Sequence, residues 1–304
     1  MNRAEYVYIN GEFYQESEAR ISPFDHGFLY GDGVFDTVRC VNGVIFKLDQ
    51  HIKRFFNSAK TLAFDIPLTF EEIKEGIIET VRKNGFLDTY VRFLATIGEG
   101  SGLGMRRTIH TEPTFVIITV PENVAAGGKS WFGESSSKGF KAIIAATRSM
   151  PPSCGPEPRT KHNNYMNHIL VDNEAITAGV DIAIQLDING FVVEGQGSNI
   201  FFVKNNLVLT PQASLGLLEG ITRETVMEIA RSASYEVREA LMTPFDIFTA
   251  DELFTTSTAG GIHAIVEVNS RPIGNSKPGP VTVKLATLYN TMIQKGEHGT
   301  SVFD

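Results

Sequence analysis

Val192-Val193-Glu194-Gly195-Gln196-Gly197-Ser198-Asn199, followed by Leu218-Glu219-Gly220-Ile221-Thr222-Arg223, decides how this chain is read. The first stretch is a strand ending on a carboxylate. The small residues after it let backbone approach a ligand closely. The second is a glycine turn opening a helix, where Thr222 can act as a cap, or where first-turn amides and a hydroxyl can receive a phosphate. Upstream, the proline-rich loop from Met150 to Pro158 delivers Lys161 to the start of a helix, a setting that aims an amine rigidly. Taken singly, Lys161 reads as a solvated lysine, Glu194 as an edge-strand acid and Thr222 as a cap. Taken in order, they are an amine, a carboxylate and an anion cup. Thr255-Thr256-Ser257-Thr258-Ala259-Gly260-Gly261 is a further strand end with hydroxyls and glycines that can complete the cup.

Outward from these stretches, short strands dominate: Ile182 to Leu186, Phe191 to Glu194, Asn199 to Val203, Leu207 to Thr210, Glu252 to Thr256 and Ile265 to Val268. Asn189-Gly190 and Asn205-Asn206 supply turns between them. Lys141 to Thr147 opens this half as a strand. Met166, Ile169, Leu170 and Asn173 share one face of the helix after Lys161. Val226, Ile229 and Ala230 point inward on a helix from Thr222, and a last helix starts near Val281.

The N-terminal half alternates helix and strand signals. Val7 to Phe13 reads as a hairpin turning on Asn10-Gly11. A strand through Val34 to Arg39 closes on Asn42-Gly43. Asp49 is expected to cap a helix with an apolar face of Ile52, Phe55, Phe56, Ala59 and Leu62. Thr69 and Glu72 form a capping box for a helix with Ile73, Ile77, Ile78 and Val81 inside, stopped by Asn84-Gly85. Strands follow at Tyr90 to Ile97 and Thr114 to Val120. With 304 residues, two domains are the natural division: a small α/β domain over 1–120, a Gly- and Ser-rich linker over 121–135, and a larger domain over 136–304.

The composition, 42% apolar and 20% charged, is that of a folded soluble protein with an ample core. A net charge of −8 argues against nucleic acid or an anionic membrane as partner. No apolar run reaches membrane-spanning length. Cys40 and Cys154 make no disulfide framework, and the opening residues contain no apolar leader core, so a cytoplasmic location is expected. Gly98-Glu99-Gly100-Ser101-Gly102-Leu103-Gly104 fails as a dinucleotide fingerprint, because Leu103 and Met105 stand where the third glycine belongs. Metal-ligand spacings are missing, as is a serine nucleophile elbow. An amine, an acid and a phosphate cup are what pyridoxal 5′-phosphate requires for its aldehyde, its ring nitrogen and its phosphate.

Six pieces in order carry a resemblance: Asp25-His26-Gly27-Phe28-Leu29-Tyr30-Gly31-Asp32-Gly33-Val34-Phe35, His51-Ile52-Lys53-Arg54, Lys161, Glu194 to Asn199, Gly220 to Arg223, and Ser257-Thr258-Ala259. The chain resembles the class IV (fold-type IV) pyridoxal phosphate enzymes over nearly its whole length. These include branched-chain and D-amino acid aminotransferases, (R)-selective amine transaminases and aminodeoxychorismate lyase. The resemblance implies an α+β fold, with a small α/β domain and a larger β-rich pseudo-barrel domain carrying helices. It implies that Lys161 bonds the cofactor and moves the proton, that Glu194 pairs with the ring nitrogen, and that Arg54 binds the phosphate with Ile221, Thr222 and Thr258. Ser198 and Asn199 belong to the same cofactor motif. Tyr165 matches the tyrosine near the ring hydroxyl, at a spacing one residue shorter than in bacterial branched-chain enzymes.

For the substrate, an amino donor and a keto acid, Phe35, Thr37 and Arg39 alternate on one strand face and line the pocket. Arg39, Arg106 and Arg107 are the candidate carboxylate clamps, Arg39 first, with backbone amides near Ala259 and Gly260 as the alternative. The loop 103–107 is expected to enter the neighbouring subunit of a homodimer. Thr37 favours the lyase pattern, the 103–107 loop the branched-chain one, and Thr258 to Gly261 the amine transaminases; transamination outweighs lyase chemistry. A non-catalytic cofactor or small-acid binder is the reading from another class, and it leaves Lys161 and Glu194 without a purpose.

Overall fold

The computed structural model describes residues 4–107, 112–122, 138–153 and 155–303. The chain divides into two units: 1–130 with 160–164 and 293–304, and 131–159 with 165–292. Two short segments thus cross the simple division expected at 121–135, and that linker lies outside the described residues apart from Pro121 and Glu122. Cys154 also lies outside them.

The first unit is a sheet with two long helices. Strands β1 (Tyr6–Ile9) and β2 (Glu12–Gln15) form the expected hairpin, with Asn10 and Gly11 both at positive φ. A short helix α1 (His26–Tyr30), not foreseen from the pattern, precedes β3 (Gly33–Val41) and β4 (Val44–Phe46). Helices α2 (Leu48–Thr61) and α3 (Phe70–Asn84) follow, then β5 (Thr89–Thr96) and β6 (Thr114–Pro121). With a C-terminal strand (Gly299–Ser301) the sheet order is C-terminal strand-β4-β3-β5-β6-β1-β2. Pairing of that last strand with β4 ties the chain end into this unit.

The capping box of α3 forms as expected, Glu72 Oε2 accepting the Thr69 N–H at 2.7 Å, and Gly85 ends the helix in the left-handed region. Asp49 does not cap α2. The helix begins two residues earlier, at Leu48 after Lys47, and Asp49 sits in its first turn, paired with Lys74 at 2.8 Å. Ile52, Phe55 and Ala59 of α2 and Ile73, Ile77 and Val81 of α3 are buried against Val34, Val38, Val91, Phe93, Phe115 and Ile117 of the sheet. Each large side chain removed from water there contributes about 1.5–3 kcal/mol. Phe56, Leu62 and Ile78, at the edges of the two faces, are partly buried.

The second unit holds β7 (Phe140–Ile144), α4 (Met166–Ala178), β8 (Ile182–Leu186), β9 (Val192–Gly195), β10 (Asn199–Lys204) and β11 (Leu207–Pro211). Then come α5 (Ile221–Ser232), β12 (Val237–Ala240), α6 (Pro244–Phe248), β13 (Glu252–Ser257), β14 (Gly261–Val268), β15 (Arg271–Pro272) and α7 (Pro280–Gln294), whose last residues fall in the first unit. The strands order as β12-β11-β10-β13-β14-β7-β8-β9, with β15 on β14. Pairs β11/β12, β7/β14 and β7/β8 are parallel and the others antiparallel. Two outcomes differ from the sequence pattern. Met166, Ile169, Leu170 and Asn173 are exposed, and α4 buries Val171 and Ala175 instead, against Ala145 and Ala183. Glu252, a buried acid on β13, accepts hydrogen bonds from the Val281 and Thr282 amides and the Thr282 hydroxyl at 2.6–3.0 Å, which satisfies the start of α7.

Candidate active site

Lys161 lies five residues before α4 begins, not at its first turn. Its segment runs as an extra edge along β3. The Phe35 N–H donates to the Lys161 carbonyl at 3.0 Å, the Asn163 N–H to the Gly33 carbonyl at 2.9 Å, and the Lys161 N–H to Ser58 Oγ on α2 at 3.0 Å. Backbone pairing, rather than a helix start, therefore aims the amine. Lys161 Nζ stands 4.6 Å from the centre of the Phe35 ring.

Alternation along β3 sends its residues two ways. Val34, Val38 and Cys40 enter the core. Asp36 shares their side, fully buried, and meets α2. Arg54 donates to it from Nε at 2.8 Å and from Nη2 at 2.8 Å, and His51 Nδ1 lies 2.8 Å from its Oδ1. Burial alone would push the Asp36 carboxyl upward, but Arg54 and His51 outweigh it and hold it well below the usual carboxylate range. For His51 burial is the largest influence and lowers its pKa, with Arg54 and Lys161 adding to that and Asp36 opposing. Arg54 is thus the permanent cation of the trio, while burial disfavours a charge on His51.

The other side of β3 carries Phe35, Thr37 and Arg39, as the alternation predicts. Arg39 is 7% exposed and makes an ion pair with Glu122 at 3.1 Å, so its charge is matched within the unit. The first-ranked clamp candidate thus already has an acid partner. Arg107 is likewise held, by Asp32 at 2.5 and 2.9 Å and by the Leu62 carbonyl. Arg106 is exposed on its loop, next to the exposed Leu103 and Met105. A cation the sequence reading missed, Arg92 on β5, is the register partner of Thr37. Its Nε donates to Thr37 Oγ1 at 3.2 Å and its guanidinium lies 4.7 Å from the Phe35 ring centre. One aromatic ring thus carries both the Lys161 amine and an exposed guanidinium. The detectable signal was the alternation of β5, which places an arginine amid a buried apolar run.

In the second unit Glu194 is the penultimate residue of β9, 7% exposed. Its Oε2 accepts from the Leu218 N–H at 3.2 Å and from Asn199 Nδ2 at 3.3 Å, and Oε1 is 3.7 Å from His168 Nε2. Asn199 also donates to the Leu218 carbonyl at 2.8 Å, so one side chain joins Glu194 to the turn before α5. Tyr165 precedes α4 and stacks on His168 at 4.4 Å between ring centres.

Gly220, not Thr222, is the N-cap of α5, with no side-chain cap bond. A Cβ on Gly220 would stand 2.1 Å from Asn199 Oδ1, so no other residue fits without moving Asn199. Ile221 and Thr222 are the first two helical residues, both buried, and Thr222 Oγ1 is 3.5 Å from the Tyr289 hydroxyl on α7. The amides of this first turn lack partners within the helix and carry the positive end of its dipole, the arrangement that receives a phosphate. Thr258, Ala259 and Gly260 form the turn between β13 and β14, and Ser257 Oγ accepts the Gly260 N–H at 2.9 Å.

These residues fit pyridoxal 5′-phosphate. Besides the amine, the acid and the cup, the buried hydroxyls of Ser198 and Thr256 have no hydrogen-bond partner among the described residues. Asn199 pairs with Thr256 across β10 and β13, so both hydroxyls lie at one strand end. No group of His, Cys, Asp or Glu among the described residues is arranged to hold a metal, and none of the described helices is long and apolar enough to cross a membrane.

Comparison with known proteins agrees. The amino-transferase class IV family model matches residues 33–268. The chain is 41% identical over 298 residues to a putative branched-chain-amino-acid aminotransferase of Methanocaldococcus jannaschii, covering 98% of this chain and 99% of the relative. A branched-chain amino acid aminotransferase of T.th. with pyridoxamine 5′-phosphate superposes with a TM-score of 0.92 at 33% identity, covering 99% of this chain and 100% of that one. The same enzyme complexed with N-(5′-phosphopyridoxyl)-L-glutamate gives 0.91 at 33% identity, with the same coverage. The chain therefore belongs to the class IV aminotransferases, and its cofactor is pyridoxal 5′-phosphate.

Proposed function

We propose that this chain moves an amino group between a branched-chain L-amino acid and a 2-oxo acid. The observation that carries this reading is the Phe35 ring, an apolar wall beside the Lys161 amine with the Arg92 guanidinium on the same ring. Such a wall suits an aliphatic side chain, and a nearby cation suits a carboxylate. The 41% identical relative named for branched-chain amino acids supports the same substrate class over D-amino acids, (R)-amines or lyase chemistry.

When bound, the cofactor supplies an electron sink for the electrons released at the substrate α carbon. In this reading Lys161 Nζ takes the α proton and returns it, as general base and then acid. Glu194 keeps a proton on the ring nitrogen, with its carboxylate oriented by Asn199 and the Leu218 amide. Arg54, Ile221, Thr222 and Thr258 hold the phosphate, Tyr165 meets the ring hydroxyl, and Ser198 lines the strand end after Glu194. Arg92 takes the carboxylate role first assigned to Arg39, with the backbone of Ala259 and Gly260 assisting.

The test is a half-reaction screen of the yellow holoenzyme, read by absorbance, with L-leucine, L-isoleucine, L-valine, D-alanine and (R)-1-phenylethylamine. Conversion by the three L-amino acids alone is the expected result. Conversion by D-alanine or the amine without them would move the chain to a sister activity. Silence toward every donor, despite tight cofactor binding, would make it a binder. Lys161→Ala is expected to abolish the covalent bond to the cofactor.

The working form in this reading is a cytoplasmic homodimer. The exposed Leu103 and Met105 at the loop tip, apolar groups expected to be covered by a second copy, support the dimer. Sedimentation at twice the chain mass, lost on Leu103→Glu with Met105→Glu, is the corresponding result.

A further inference from the structure

We propose that Asp36 is a positioning residue for the cofactor phosphate, acting through Arg54. The inference rests on the assignment of Arg54 to the phosphate. An arginine side chain carries several rotatable bonds, and holding it in one pose costs conformational entropy at the moment of binding unless another group has already fixed it. Asp36 does this from the side. It accepts from Nε and Nη2 at 2.8 Å each, and two such bonds to one carboxylate set the guanidinium plane. Asp36 is itself immobile: 0% exposed, on a central strand bonded to β4 and β5, with His51 Nδ1 at 2.8 Å on the oxygen it shares with Arg54.

A carboxylate on the core side of β3, between Val34 and Val38, has no packing reason to be there. Burying an acid is costly unless it is paired and hydrogen-bonded, and an apolar residue would serve the core better. What the acid supplies is a fixed arginine. The lowered pKa of Asp36 favours its carboxylate form, the form that holds Arg54.

The experiment measures affinity of the cofactor-free full chain for pyridoxal 5′-phosphate and for pyridoxal, which lacks the phosphate. The ratio of the two affinities is the phosphate selectivity. Arg54→Ala is expected to collapse it. Asp36→Asn is expected to lower it by about tenfold or more while pyridoxal affinity stays within about twofold. A merely structural role would lower both affinities together. Selectivity unchanged in Asp36→Asn, with Arg54→Ala collapsed, overturns the inference. Selectivity unchanged in Arg54→Ala overturns instead the assignment of Arg54. If Asp36→Asn alone does not fold, Arg54→Gln is compared with Asp36→Asn/Arg54→Gln, which leaves no unmatched charge. Equal selectivity in the two supports action through Arg54; a difference beyond about threefold, or about 0.6 kcal/mol, means Asp36 acts on the phosphate directly and overturns it.

Discussion

His263 makes the stability of the chain sensitive to acid, and the size of the effect follows from its burial. It lies on β14, 4% exposed, with its ring stacked on Phe140 at 4.4 Å and 18°. It packs beneath the Thr258–Gly260 turn, so closely that a Cβ on Gly260 would stand 2.9 Å from Nε2. Burial is the dominant influence and lowers its pKa from 6.5 to about 4, against weaker upward pulls from the Gly260 backbone and Asp181. The unfolded imidazole takes a proton near 6.5 and the folded one only near 4. Between these values the unfolded state binds more protons, so acidification favours unfolding, and the stability present at neutral pH is lost as pH falls through that window. A gap of about 2.5 at about 1.4 kcal/mol per pH unit sets a ceiling of about 3.5 kcal/mol, of which about 3 kcal/mol falls between pH 7 and pH 4, where the folded imidazole is half protonated. The assay is urea denaturation of the cofactor-free chain at pH 7, 6, 5 and 4, wild type beside His263→Gln. Lost packing shifts the variant by a constant amount, whereas the titration term changes the difference between the two proteins by about 3 kcal/mol across the series. A difference that stays within about 0.5 kcal/mol from pH 7 to pH 4 would refute the reasoning.

Three further outcomes are expected. Glu252→Ala strips three hydrogen bonds from the start of α7 and is expected to destabilise the chain by about 2–4 kcal/mol, read as a lower urea midpoint with an unchanged slope. Burial, aided by Asp88, pushes the Cys40 thiol up to about 12, so in a Cys154→Ser background the native protein should resist a thiol reagent at pH 8 and react only on unfolding. Arg92→Met should weaken use of 2-oxoglutarate by about tenfold or more in kcat/KM, about 1.4 kcal/mol, while Arg39→Met changes it less; equal effects would return the carboxylate role to Arg39.

Much of the local structure was legible in the chain because its causes are short-range. Asn10-Gly11 takes the positive φ that a tight turn needs at little cost, the Thr69–Glu72 box spans one helical turn, and the spacing of Ile52, Phe55 and Ala59 marks a buried face without knowledge of what covers it. The order of Lys161, Glu194 and Gly220–Arg223 likewise announced the cofactor, since those groups are needed in kind whatever the fold. Tertiary structure decided the pairing of charges. Alternation placed Arg39 on the Phe35 face, but its partner Glu122 lies 83 residues away, and nothing local distinguishes an arginine held by an acid from one facing a substrate. The same holds for Arg107 with Asp32, and for Arg92, whose position beside Thr37 is fixed by the register of β3 on β5. The sequence neighbours of Lys161 mark it as a helix-start residue, yet its place is set by its own backbone bond to Phe35 and that of Asn163 to Gly33, both to residues more than 120 positions earlier in the chain. The exposed stripe of α4 shows the limit from the other side: periodicity reports that apolar residues share a face, while burial of Val171 and Ala175 instead depends on which face the sheet meets.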